Sequence, residues 1–244
     1  MIDFLLCYYT YYGNNYYMTT ETILLFALIA LMIIGSIIQA ALRSSFNKYS
    51  KVRSSSGMSS EQVAEQLLYK GGCNTQVLRV SGSLTDHFNP KSNTVGLSEI
   101  VYGSDSISAL AVAAHEIGHV MQYKEEYLPI KIRNTILPVA NFGSRAAPFI
   151  VIIGLFMGLS SLSMIGVWLY AAVFGFQLVT LPVEFNASSR AIAMLTEGNY
   201  ISYSERPAAK KVLRMAAMTY VVATLSTLIS LVRLFLTANN SRRR

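Results

Sequence analysis

Three uncharged or nearly uncharged runs divide the chain, and the polar stretches between them carry the periodicities of a small mixed α and β domain. Residues 22–42 hold no charged side chain and are long enough to cross a bilayer as one helix. Arg43, Lys48, Lys51 and Arg53 follow at once, which places that end of the helix in the cytoplasm. Residues 146–182 also lack any charge. That run is too long for one crossing and predicts a hairpin of two short transmembrane helices turning near Ser160–Ser163. Residues 214–237 form a last apolar helix with Arg233 near its end, and residues 238–244 are a basic tail.

Between the first span and the hairpin, residues 43–145 have the character of a water-facing domain. Ser59 followed by Gln62 resembles a capping box opening a helix through about Lys70, and Gly71-Gly72 ends it. Gln76–Ser81 and Thr94–Ser98 alternate as short strands around a turn at Asp86-His87-Phe88-Asn89-Pro90. The second of these would serve as an edge strand able to pair with an extended peptide. Ser104 or Asp105 would cap the next helix, roughly 106–123. On it Ile107, Leu110, Ala111, Ala114, Ile117 and Met121 form one apolar stripe, leaving His115 and His119 free to face a cleft. Residues 183–213 turn polar again, and a helix beginning after Pro182 would project Glu184 from its first turn.

Composition supports the membrane reading and narrows the partners. Of 244 residues, 52% are hydrophobic and 14% charged, with a mean hydropathy of +0.40. A soluble domain would expose too much apolar surface at that balance. The net charge of +7 sits beside the apolar runs, so it indicates orientation in a lipid bilayer and no nucleic-acid partner. Most Lys and Arg residues fall in 43–145 and 183–213, which a hairpin would place on one side, so both are expected in the cytoplasm. Arg242-Arg243-Arg244 oppose this if the last helix spans fully; otherwise that helix packs without crossing. Residues 1–21 contain six tyrosines and no Lys or Arg, which fits an interfacial extension before a retained anchor and not a cleaved signal. Cys7 and Cys73 are too few for a disulfide framework.

Chemistry concentrates in His115-Glu116-Ile117-Gly118-His119. Histidines one helical turn apart offer two imidazoles to one zinc ion, and the glutamate between them can activate a water. Only three histidines occur in the chain, which raises the weight of the pair. A catalytic zinc needs a third protein ligand and one open position. Glu184 is the best carboxylate for it, because the hairpin returns it to the same side. His87 is a rival, although a histidine in a turn more often has a structural role or contacts substrate or an oxyanion.

The chain is similar to the YugP-like neutral zinc metallopeptidases, bacterial membrane proteins of the clan that includes HtpX and the CAAX prenyl proteases. The resemblance runs from about residue 45 to the last helix, through Lys48–Arg53, Leu84–Pro90, Leu97-Ser98-Glu99, Val101-Tyr102, Ala113–Gln122 and Leu181–Ser188. It implies a mainly α membrane protein of about four transmembrane helices with an α+β gluzincin-like protease domain. It implies Zn2+ held by His115, His119 and Glu184, with Glu116 as general base. It puts Ala187 at the clan's small position and Ser188 where an aspartate is usual. The implied activity is membrane-bound, zinc-dependent hydrolysis of peptide bonds in peptides or proteins, membrane proteins included. A scaffold with a structural zinc is the alternative and would need a fourth ligand, for which Cys73 is the candidate. A transporter would need ionisable residues within its spans, and these hold almost none besides Arg233.

Overall fold

The structure, a computed structural model, describes residues 20–241; the tyrosine-rich start before Thr20 and the last three arginines lie outside the described residues. Helix α1 (Thr20–Tyr49) is the most apolar, with a best 18-residue window of mean hydropathy 2.6 in which no residue is fully buried. Its exposed Phe26 and Met32 are therefore lipid-facing side chains. Helix α2 (Ser60–Lys70) begins where Gln62 accepts the Ser59 backbone N–H and ends at Gly71.

Strands β1 (Gln76–Val80), β2 (His87–Asn89) and β3 (Thr94–Ser98) form one sheet in the order β1-β3-β2. β3 runs parallel to β1 and antiparallel to β2. Two expectations change here. Asp86–Pro90 is not simply a turn, because His87–Asn89 pairs with Thr94–Gly96. Thr94–Ser98 is not an edge: it is the central strand, bonded on both sides and buried from Val95 onward. The sheet's two open edges belong to β1 and β2.

Helix α3 (Ile107–Lys124) carries the two motif histidines and lies at the centre of the domain. Ser106 caps it by accepting the Ala109 N–H, not Ser104 or Asp105. Asp105 is engaged by Arg53 at 2.6 Å, and the Ser104 hydroxyl donates to Ser106 Oγ, so both candidates are committed elsewhere. The predicted apolar stripe is buried, but so is most of the helix circumference, as befits a helix packed by neighbours on several sides.

Helix α4 (Leu128–Phe156), helix α5 (Ser160–Glu197) and helix α6 (Arg206–Ser241) complete the chain. With α1 they are the four helices among the described residues that are long and apolar enough to cross a membrane. The protein is thus a mainly α membrane protein with a small α+β domain. The hairpin helices are longer than the uncharged run: the first begins at Leu128, the turn falls at 157–159, and the second continues unbroken through Pro182 to Glu197. Hydropathy reports the lipid-facing stretch of a helix, whereas the helix itself continues wherever protein covers it. Pro182 costs one backbone hydrogen bond without ending the helix, a loss tolerated in membrane helices. Small residues set the α4–α5 distance: a Cβ on Gly143 would lie 2.7 Å from the Leu169 carbonyl oxygen.

Candidate metal centre

The site forms where α3 meets α5. Gly118, inside the His-Glu-x-x-His segment, faces Ala187 so closely that a Cβ there would sit 2.7 Å from the Ala187 carbonyl oxygen. This contact lets the two helices approach until Glu184, one turn before Ala187, reaches the histidines. Glu184 Oε2 lies 3.3 Å from His115 Nε2, and Oε1 lies 3.8 Å from His119 Nε2. A tetrahedral zinc with bonds of about 2.1 Å separates its ligands by about 3.4 Å, so the spacing fits the ion.

The hydrogen bonds behind the imidazoles strengthen that fit. Gln122, fully buried on the next turn, accepts from His119 Nδ1 through its Oε1 at 3.0 Å. Its Nε2 donates to the Val183 carbonyl at 2.8 Å and to Asn186 Oδ1 at 2.9 Å. Asn186 Oδ1 also accepts from Arg190, whose guanidinium clasps Glu125 with two bonds of 2.8 and 2.6 Å. Ser188 Oγ lies 3.2 Å from His115 Nδ1. Ser188 thus supports His115 from behind with a hydroxyl. With both Nδ1 atoms engaged, both Nε2 atoms face the Glu184 carboxylate. Two imidazole nitrogens and a carboxylate converging in a buried site suit a cation between them.

Burial sets the charge states around this centre. It drives the His119 pKa down to about 4, assisted by the charge of His115, which keeps that imidazole neutral as a ligand must be. It pushes the Glu116 carboxyl up to about 7, against the attraction of His115. Glu116 is buried beside the two histidines and lines the same cavity.

That cavity measures about 610 Å³ and holds all the expected site residues: His87, His115, Glu116, His119 and Glu184. His87 is part of its wall and not of the ligand group, which among the described residues is His115, His119 and Glu184. Its ring lies across Gly96, where a Cβ would come within 2.9 Å of it, and its Nδ1 is 2.9 Å from the Thr85 carbonyl. Cys73 does not join the centre; its sulfur lies 3.9 Å from that of Met121, so the closing ligand a structural site needs is not supplied by it. Sequence reasoning missed Arg133, Asn134 and Tyr220, which line the cavity from α4 and α6. Arg133 Nη2 stands 4.0 Å from Glu184 Oε1. A cation and an amide at the foot of an apolar helix are the sequence signal for them.

A membrane helix bundle bearing a His-Glu-x-x-His helix against a glutamate of a neighbouring span defines a class of membrane zinc proteins. The model of the family described as "Putative neutral zinc metallopeptidase" matches residues 23–239, and the chain belongs to that family. The match takes in α1, earlier than the resemblance from about residue 45. A relative is the "Putative membrane protease YugP" of Bacillus subtilis (strain 168), 43% identical over 205 residues, which are 84% of this chain and 91% of that protein. No solved structure matches the chain. Zinc is the metal of the family, and His115, His119 and Glu184 are positioned to bind it.

Proposed function

We propose that the protein is a membrane-bound endopeptidase that cleaves peptide bonds at the cytoplasmic face of the cell membrane. The observation that carries this reading is a three-ligand centre, backed by Gln122 and Ser188, opening on a cavity that also holds a buried glutamate. Three ligands leave one position for water, as hydrolytic zinc sites require. Bound there, zinc supplies a Lewis acid that polarises a peptide carbonyl and lowers the pKa of water. Glu116, with its carboxyl near neutrality, takes a proton from the attacking water and passes it to the leaving amine. Arg133 and Tyr220 are the donors available to the carbonyl oxygen as it gains charge. The free edge of β2 offers backbone pairing to an extended substrate, with His87 contacting the peptide beside it. The excess of Lys and Arg on the site's side of the bundle supports the cytoplasmic orientation.

The test is purified Glu116→Gln protein assayed for zinc content and for cleavage of a casein or mixed-peptide substrate. Full zinc occupancy with hydrolysis abolished is expected. Retained cleavage would refute Glu116 as the base.

A further inference from the structure

A second pocket, of about 390 Å³, lies between the polar ends of α5 and α6 and is absorbed by nothing in the proposed chemistry. Arg206, Lys210 and Arg214 enter it from α6 at four-residue spacing, hence from one helix face. All three are exposed, and none forms an ion pair with a carboxylate among the described residues. Glu205 beside them is turned to Ser202 and Ser55 instead. Like charges one turn apart repel, so an anion between them would stabilise the helix.

The rest of the lining gives the anion a body. Ser188 and Ser189 contribute hydroxyls from α5, while Phe185 and Leu213 contribute apolar surface. Phe185 is 46% exposed and lines the same pocket as the cations. Below Arg214 the helix becomes apolar, as α5 is before Pro182, so the pocket sits where hydrocarbon gives way to the headgroup layer. A cationic, hydroxyl-lined pocket with an apolar flank at that depth matches a phosphate esterified to a lipid better than a free ion.

We propose that this pocket binds the headgroup of an anionic phospholipid, its phosphate held by Arg206, Lys210 and Arg214 and its glycerol end lying against Phe185. Because Ser188 also supports His115, the lipid sits one residue behind the metal centre. The proposal does not depend on the protein being a peptidase.

The experiment uses the full chain, zinc-loaded, in nanodiscs of phosphatidylcholine with or without phosphatidylglycerol. Retained lipid is counted by native mass spectrometry after detergent extraction. Wild type should retain phosphatidylglycerol over phosphatidylcholine by about a hundredfold, the fold-change expected of three cations at a membrane surface. Arg206→Gln/Lys210→Gln/Arg214→Gln should lose that preference while keeping its zinc. The single Arg214→Gln should lose part of it if the triple variant fails to fold. A control removing equal charge at Lys51, Lys70 and Arg79 should keep it. Equal loss in the control would overturn the proposal, as non-specific attraction would then suffice. Displacement of the lipid by millimolar inorganic phosphate would also overturn it, because the site would then be one for the free ion.

Discussion

Gly118→Ala separates two opposing expectations cleanly. On helix propensity alone the change should stabilise α3 by about 1 kcal/mol. The new Cβ, however, would stand 2.7 Å from the Ala187 carbonyl oxygen, a backbone atom that cannot swing aside. Ordinary contact begins near 3.4 Å, so α3 and α5 must part by about 0.7 Å at this point. Such overpacking costs about 1–3 kcal/mol, leaving a net destabilisation of roughly 0–2 kcal/mol. The metal centre should suffer more than the fold. Ligand distances are held to about 0.2 Å, and Glu184 lies one turn from the contact, so a shift of this size exceeds what the coordination can absorb. Zinc affinity should fall by about 10–100-fold or more, as when supporting groups are removed. Competition against a chromophoric chelator measures the affinity, and thermal melts of zinc-free protein in detergent measure the fold. A variant that binds zinc like wild type and melts higher would refute the argument that Gly118 sets the ligand geometry.

Gln122→Leu keeps the buried volume but leaves the His119 Nδ1–H without its acceptor and takes one donor from the Val183 carbonyl and one from Asn186, which keeps Arg190; zinc affinity should drop about 10–100-fold and stability by about 1–3 kcal/mol, read by the same two assays. Arg133→Gln and Tyr220→Phe should each lower kcat by about 100-fold, the effect of losing one donor to a developing oxyanion, with zinc content unchanged; a rise in KM alone would assign them to substrate binding instead. Asp86 gives a pH test away from the ligands. Burial raises its carboxyl above the ordinary 3.8, despite the two hydrogen bonds from Ser98. A raised folded pKa means that its contribution is fully present below 3.8 and lost as pH rises through the folded value. Melting of zinc-free wild type should therefore decline over that window relative to Asp86→Asn; parallel curves would contradict it.

The parts of this protein that were legible in the sequence are those whose signal is local. A histidine pair at helical spacing, uncharged runs of membrane length and alternation at Gln76–Val80 each report a structure made by their own residues. Where contacts between segments decide, local signals mislead. Thr94–Ser98 resembled an edge because alternation cannot tell how many neighbours a strand has. His87–Asn89 is too short, and too close to Pro90, to announce itself as a strand, and it exists because β3 offers it an edge. Pro182 looked like a helix start, yet the α5 helix is held by packing on both sides of it. Gln122 was within reach: three residues after His119 it shares that helix face, and a fully polar side chain there has a reason to be buried. Arg133 and Tyr220 were not, because their meeting at the cavity depends on how α4 and α6 lie beside α5.

The division of the ligands between α3 and α5 gives the metal a structural consequence as well as a chemical one. His115 and His119 belong to the domain built around the sheet, whereas Glu184 belongs to the continuation of a membrane helix. Neither piece alone presents a site. Glu184 reaches the histidines only when α4 and α5 have folded back on one another and Gly118 has met Ala187. In the assembled protein two imidazole nitrogens and a buried carboxylate converge on one point, an arrangement that a divalent cation can bridge. A ligand that binds only the assembled form stabilises that form by mass action. Zinc held there would thus fasten the water-facing domain to the hairpin. The Gln122–Asn186–Arg190–Glu125 chain of hydrogen bonds, which crosses the same boundary beside the site, is placed to resist the same separation. The short motif and the membrane hairpin are in this sense one device, since each supplies what the other lacks.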